Sequence, residues 1–143
     1  MTQRRAGAYK TDSRIVFYAS SKAVTGVWVM TSPVFATETL DPEKIGKQIL
    51  DVLQGSKHDI PHPDARGPLP VALKALGVKS WKALAKGARS VGIVEENGLI
   101  KLTPRRNRGP KDGFESIEEK GRSSSLDATD LGAAMLAAFE DCE

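Results

Sequence analysis

The segment at residues 80–104, SWKALAKGARSVGIVEENGLIKLTP, constrains the fold more strongly than any other part of the chain. Ser80 is suited to cap a short helix, because its hydroxyl accepts hydrogen bonds from free amides of a first helical turn. Gly87 is suited to end that helix, because glycine enters the left-handed region without a Cβ penalty. Two apolar runs then flank Asn97-Gly98, a dipeptide typical of type I′ turns. We therefore predict a short helix followed directly by a β-hairpin.

A two-residue turn also sets the register of this hairpin. Glu95 is expected opposite Ile100, and Ile93 opposite Leu102. Because side chains alternate between the two faces of a strand, four branched residues share one face. We expect that face to belong to the core, and its members are Val91, Ile93, Ile100 and Leu102.

The other segments complete an α+β fold. Branched and aromatic runs predict further strands at residues 14–20, 24–31 and 114–120. Capping residues and helical periodicity predict helices from Asp41 to Gly55, at residues 71–76 and at residues 127–143. The expected architecture is a mostly antiparallel β-sheet of about five strands, with three to four helices packed on one face.

The division of the chain follows from its length and from the character of its first residues. Residues 1–12 are polar and basic without periodicity, which predicts a flexible N-terminal arm. Residues 13–143 are expected to form a single α+β domain, since a chain of 143 residues is typical of one domain. The one cysteine, Cys142, has no internal disulfide partner, and no apolar run approaches the ~20 residues of a membrane span. With no apolar signal segment after the first arginines, we expect a cytoplasmic protein.

Charge is distributed in blocks along the chain. The net charge is only +3, but residues 65–113 carry eleven basic and three acidic residues, whereas residues 114–143 carry two basic and eight acidic ones. Two interpretations remain open: the two blocks pair with each other in one fold, or they form surfaces for a partner or a nucleic acid.

No group of residues predicts a catalytic, metal or cofactor site. Pro61 and Pro63 exclude the helix on which i, i+4 histidines would bind a metal, and no third histidine or nearby cysteine completes a set. Cys142 lies between two acidic residues that would raise its thiol pKa, which argues against a nucleophile. The residues of the proline-rich loop that have the chemistry of metal ligands are His58, Asp59, His62 and Asp64.

A family resemblance adds to this interpretation. It is carried by the LKALG run at residues 73–77, by SWKAL at residues 80–84 with the hairpin after it, and more weakly by DLGAA at residues 130–134. In these residues and in the order of its elements, the chain resembles the CdiI-type immunity proteins of bacterial contact-dependent growth inhibition. The resemblance covers most of the chain after the N-terminal arm.

The resemblance implies a small cytosolic protein without enzymatic activity. Such a protein would form a heterodimer with the C-terminal toxin domain of a cognate CdiA effector, often a nuclease, and would contact neither a membrane nor nucleic acid. Inhibitors of nucleases usually present carboxylates that mimic phosphates and steer association with a basic cleft. The acidic candidates for toxin binding are Glu95, Glu96, Glu115, Glu118, Glu119, Asp59 and Asp64.

An alternative function rests on a basic segment that follows the hairpin. Residues 105–113, RRNRGPKDG, predict a basic loop that could bind phosphates or a protein partner. No helix-turn-helix, zinc finger or aromatic sheet motif accompanies it. The alternative is therefore a small basic nucleic-acid-binding or regulatory protein, with a partner surface formed by Arg105, Arg106, Arg108 and Lys111.

Overall fold

The computed structural model describes residues 3–61 and 67–143. Within these ranges the strands are β1 (Arg4–Lys10), β2 (Ile15–Ala23), β3 (Trp28–Thr37), β4 (His58–Ile60), β5 (Arg89–Glu96), β6 (Leu99–Asn107), β7 (Phe114–Ser116) and β8 (Arg122–Ser124). The helices are α1 (Pro42–Gln54), α2 (Leu69–Leu76), α3 (Trp81–Leu84), α4 (Gly109–Asp112) and α5 (Ala128–Glu140), with a 3₁₀ turn at Glu118–Lys120. None of the helices in the described ranges is long and apolar enough to cross a membrane.

The sheet has the strand order β3-β2-β1-β5-β6, and each neighbouring pair in this series is antiparallel. β7 and β8 pair with successive parts of the free side of β6. β4 pairs in parallel with the end of β2. The predicted α+β class with a mostly antiparallel sheet is confirmed, but the described residues form eight strands rather than about five. The strands missed were β1, β4 and β8, two of which have only three residues.

The prediction of a flexible arm at residues 1–12 is wrong, because β1 lies in the middle of the sheet. It forms antiparallel ladders with β2 on one side and with β5 on the other. Ala6 and Ala8 are buried in the core. Small side chains gave this strand too weak an apolar pattern to be recognised, whereas its backbone is satisfied by hydrogen bonds on both sides. The domain therefore begins before residue 13.

The helix and hairpin at residues 80–104 are confirmed. The Oγ atom of Ser80 accepts a hydrogen bond from the Ala83 amide at 3.1 Å, although α3 already ends at Leu84 rather than at Gly87. β5 and β6 pair in the expected register, with Ile93 opposite Leu102. Both turn residues have positive φ, as a type I′ turn requires. The four predicted core side chains of this hairpin are all buried.

Helices cover both faces of the sheet rather than one, which corrects the expected layering. On one face, α1 and α5 pack over the alanines of β1, Phe17 and the branched side chains of the hairpin. On the other face, α2 and α3 cover only the end of the sheet near Tyr9, Val16 and Tyr18. The second face consequently keeps an uncovered region, because α2 and α3 have eight and four residues.

The packing of α1 against α5 depends on two glycines. A Cβ atom added to Gly46 would collide with the backbone carbonyl of Ala128, and one added to Gly132 would collide with the backbone carbonyl of Pro42. Each helix therefore approaches the backbone of the other at a position without a side chain. Backbone atoms cannot move aside as a flexible side chain can, so this contact sets the separation of the two helices.

We expect Gly132→Ala to lower the free energy of unfolding by about 2 kcal/mol, because overpacking against backbone outweighs the gain in helix propensity. Urea unfolding monitored by circular dichroism measures the change. Gly87→Ala is the control, since no atom of the described residues, apart from its chain neighbours, lies within 4 Å of its added Cβ. Equal unfolding midpoints for the two variants would contradict the role of the helix crossing.

Candidate functional site

The uncovered region of the second sheet face forms a concave surface that partly encloses a volume of about 560 Å³. Side chains from β1, β2, β3, β5 and β6 line it, together with Ser116 in β7 and Glu118 shortly after β7. We call this surface the trough. The lining side chains used below are Arg5, Tyr18, Trp28, Lys101, Thr103 and Arg105.

Two glycines make the trough concave. Gly7 in β1 and Gly92 in β5 are directly opposite each other in the ladder, so no side chain rises from the middle of the sheet. The Tyr18 ring occupies the space above Gly7. The guanidinium of Arg105 lies above Gly92, with its Nη2 atom 2.8 Å from the position of an added Cβ. Glycine inside a strand often marks such a close approach, and here it allows two side chains to lie flat on the sheet.

Arg105 is held in this position by a buried hydroxyl. Its Nη1 atom donates a hydrogen bond to Ser90 Oγ at 3.0 Å, and Ser90 is fully buried. No carboxylate of the described residues lies within ion-pair distance of Arg105. The guanidinium is therefore fixed in place and keeps an uncompensated positive charge.

Arg5 provides the second fixed guanidinium of the trough. Its Cζ atom lies 4.5 Å from the ring centroid of Trp28, a cation–π contact. Its Nε and Nη2 atoms donate to Gln3 Oε1 at 3.2 and 2.8 Å. The His58 ring in β4 makes a T-shaped contact with the Trp28 ring, and its Nε2 atom hydrogen-bonds the Gln3 carbonyl oxygen at 2.6 Å. In the described part of the chain, Arg5 also has no carboxylate partner.

An aromatic wall closes the end of the trough nearest to α3. Tyr9 stacks on Tyr18 with 5.4 Å between the ring centroids. Its ring also makes a T-shaped contact with Trp81 and a tilted contact with Phe114. Burial raises the pKa of the Tyr9 hydroxyl, and the neighbouring Tyr18 raises it further, although the charge of Arg105 acts in the opposite direction. The Tyr9 hydroxyl is therefore uncharged at neutral pH, and it does not offset the positive charge of Arg105.

The acidic candidates at the hairpin tip contact neighbouring polar side chains. Glu95 lies 3.7 Å from Arg4 Nε, and Glu96 Oε2 accepts a hydrogen bond from Gln3 Nε2 at 2.6 Å. Because they are consecutive in β5, the two carboxylates point to opposite faces of the sheet. They do not form one acidic surface by themselves.

The other acidic candidates lie on separate parts of the surface. Glu118 pairs with Lys101 at 3.2 Å, and Glu115 pairs with Arg106 at 3.0 Å. Glu119 and Asp59 are exposed, and no ion pair with another described residue involves them. Asp64 lies outside the described residues, as does His62. Whether these carboxylates contact a toxin stays a prediction.

The predicted basic loop at residues 105–113 is not a single loop. β6 continues through Arg105 and Arg106, whose side chains point to opposite faces, and α4 follows with the exposed Lys111. Arg108 Nη1 lies 3.7 Å from Glu115 Oε2. Of the four predicted basic residues, only Arg105 lines the trough, whereas Arg106 and Arg108 both pair with Glu115. Whether the four form a common partner surface stays a prediction.

Arg106 belongs to an ion-pair network on the helix-covered side of β6. Its Nη2 atom lies 2.9 Å from Glu143 Oε1, and Lys120 Nζ lies 2.7 Å from Glu143 Oε2. The hydrogen bond from Lys120 and then the one from Arg106 lower the pKa of the Glu143 carboxyl. The hydrogen bond with Glu143 likewise raises the pKa of Arg106. The basic and acidic blocks of the chain thus pair with each other, as one of the two interpretations expected.

We expect the Glu143 network to stabilise the fold at neutral pH and to lose this effect in acid. The folded-state pKa of Glu143 is lowered, so its contribution is present above the ordinary carboxyl range and disappears as the pH falls through the folded-state value. The melting temperature of Glu143→Gln should lie below that of the wild type at about pH 7 and approach it near pH 3. Glu119→Gln is the control, and the hypothesis fails if the Glu143→Gln difference is independent of pH.

The prediction for Cys142 has a clear structural outcome. The Sγ atom of Cys142 donates a hydrogen bond to the Ser90 carbonyl oxygen at 3.1 Å. The pKa of its thiol is raised, as predicted from the sequence, but burial is the main cause rather than the adjacent acids. No group of three His, Cys, Asp or Glu residues in the described part of the chain is placed to hold a metal ion.

This chain shares sequence and fold with known proteins. Residues 71–142 match the model of the family CdiI, CDI immunity protein. The fold is shared with a protein of unknown function from Neisseria meningitidis, at 22% identity and a TM-score of 0.83, over 99% of this chain and 96% of the other. It is also shared with a chain of a CdiA-CT/CdiI toxin and immunity complex from Yersinia pseudotuberculosis, at 18% identity and a TM-score of 0.70, over 100% and 99%. No curated protein sequence matches significantly.

Proposed function

The chain belongs to the CDI immunity protein family, and on this basis we propose that it binds and neutralises the C-terminal toxin domain of a cognate CdiA effector. The observation that carries the proposal is the family match over residues 71–142, which extends from α2 almost to the end of the chain. The shared fold with a chain of the Yersinia pseudotuberculosis toxin and immunity complex supports a toxin as the partner. A member of this family acts as an inhibitor and not as an enzyme.

Inhibition by binding requires a stoichiometric complex. One immunity protein would occupy one toxin domain, so protection would depend on the molar ratio and not on turnover. The described surface offers both fixed guanidiniums and exposed carboxylates for such a contact. Complementary charges of this kind speed the encounter of two proteins and exclude wrong partners.

The finer part of the proposal is that the toxin is a nuclease and that carboxylates of this chain contact its basic cleft. Glu119 and Asp59 are exposed and have no ion pair with another described residue. The pairs made by Glu115 and Glu118 are themselves largely exposed, with 52% and 70% of those side chains accessible. Exposed pairs contribute only about 0–1 kcal/mol, so a basic toxin surface could replace them at little cost.

We expect this chain and the toxin domain of its cognate CdiA effector to form a complex of one copy each. Size-exclusion chromatography with light scattering measures the mass of the complex. Degradation of a nucleic acid by the toxin should stop at an equimolar ratio. A toxin domain from an unrelated effector is the control. Separate elution of this chain and its cognate toxin would contradict the proposed function, and a toxin that degrades no nucleic acid would contradict the nuclease assignment alone.

The acidic part of the proposal predicts an effect on the rate of association. At low salt, the double variant Glu119→Gln/Asp59→Asn should have an association rate constant for the toxin at least about threefold lower than that of the wild type. The difference should be smaller at high salt. Stopped-flow fluorescence at two ionic strengths provides the measurement. Glu43→Gln on α1 is the control, because among the described residues its carboxylate pairs only with Lys47, one helical turn away. Unchanged association rates would exclude Glu119 and Asp59 from the interface.

A further inference from the structure

We propose that the trough receives an acidic segment of the toxin domain, with Arg5 and Arg105 binding its carboxylates. This inference rests on the proposed function, because it names the contact through which the toxin is held. It differs from the phosphate-mimic hypothesis, since here the immunity protein contributes the cations. Four observations support it: unpaired charge, fixed geometry, space and the character of the rim.

The first observation is that Arg5 and Arg105 have no carboxylate partner among the described residues, whereas Lys101 in the same trough pairs with Glu118. Five other arginines of the described chain each have a carboxylate within 4.0 Å. Arg89 has none, but it donates a hydrogen bond to the Phe139 carbonyl oxygen near the end of α5. Arg5 and Arg105 have neither arrangement, and both lie in the trough. The arginines with carboxylate partners are Arg4, Arg14, Arg106, Arg108 and Arg122.

The second observation is that both guanidiniums are held in place before any partner binds. Arg5 is stacked on Trp28 and bonded to Gln3, whereas Arg105 lies flat over Gly92 and is bonded to Ser90. A planar guanidinium recognises a carboxylate through two parallel hydrogen bonds. Fixing it beforehand reduces the conformational entropy lost on binding. In both cases the described contacts leave other N–H donors available for such a pair.

The third observation is the size and lining of the space. A volume of about 560 Å³ lies within the range of small-ligand pockets, so the trough accommodates a short loop with a few side chains. The hydroxyls of Ser20, Thr103 and Ser116 line it and add neutral hydrogen-bond donors. The rings of Tyr18 and Trp28 offer apolar surface for the remainder of such a loop.

The fourth observation favours an acidic protein segment over a nucleic acid. Glu118 lies beside Lys101 in the trough and Glu96 beside Gln3 at its edge, so a continuous polyanion would meet carboxylates there. Arg5 covers one face of the Trp28 ring, which removes a surface on which a base would stack. Single carboxylates reaching Arg5 and Arg105 avoid both conflicts.

The test compares toxin affinities of charge-removing variants by isothermal titration calorimetry. We expect Arg5→Gln and Arg105→Gln each to raise the Kd for the toxin domain at least ~10-fold, as loss of a charge-assisted pair does. Arg4→Gln is the matched control for Arg5→Gln, because Arg4 precedes it in β1 and points to the opposite face. Lys111→Gln is the control for Arg105→Gln. Both controls should leave the Kd within about twofold.

A second variant tests the same surface without removing an arginine. Ser116 is exposed and directly opposite Arg105 in the β6–β7 ladder, so Ser116→Glu would supply an internal carboxylate that competes with the toxin. We expect a similar loss of affinity in this variant. Thermal unfolding of every variant verifies that it is folded, and Ser116→Glu with Arg5→Gln decides the question if Arg105→Gln does not fold.

The outcomes separate this inference from the function on which it rests. If the wild type does not bind the toxin domain, the proposed function fails and the inference fails with it. If the wild type and all three trough variants bind equally well, the immunity function stands and the trough inference is overturned. It is also overturned if labelled single-stranded RNA binds the wild type and these substitutions abolish RNA binding but leave toxin binding unchanged.

Discussion

The backbone ladders on the two sides of β1 are the interaction on which the rest of the structure depends. β2 and β3 form one antiparallel unit and β5 and β6 another, and β1 joins them into one sheet. Without β1, the facing edges of β2 and β5 would leave unpaired amides and carbonyls beneath α1 and α5. The early segment of the chain therefore completes the core that its later segments begin.

The composition of β1 also explains why one face of the sheet can be packed and the other concave. Ala6 and Ala8 leave room for α1 and α5 on the first face, whereas Gly7 leaves the second face without a side chain next to Gly92. Tyr18 and Arg105 lie in that space. The same alternation of small residues thus supports the core and creates the surface to which we assign toxin binding.

Charge in this protein has two different roles. On the helix-covered side of β6 and around β7, arginines and lysines pair with the acidic residues of the last segment, and these pairs link β6 to the end of α5. In the trough, Arg5 and Arg105 are held by Trp28, Gln3 and Ser90 rather than by carboxylates. The nearly neutral net charge conceals this difference, because it sums a paired population and an unpaired one.

The sequence by itself determined the α3–hairpin unit, α1 and α5, because capping residues, the Asn97-Gly98 turn and apolar periodicity act over a few neighbouring residues. The family resemblance came instead from short runs of residues, at positions 73–77 and 80–84 and in the hairpin after them. The sequence did not reveal β1, whose alanines and glycine have little strand propensity and are ordered by partners up to about 90 positions away. Nor did it reveal the trough, since β1 and β6, which carry Arg5 and Arg105, are neighbours of β5 and come together only through pairing with it. Tertiary structure alone decided which arginines pair with carboxylates and which are available to a partner. This pairing depends on the order of the strands and on the sheet face to which each side chain points, rather than on proximity along the chain.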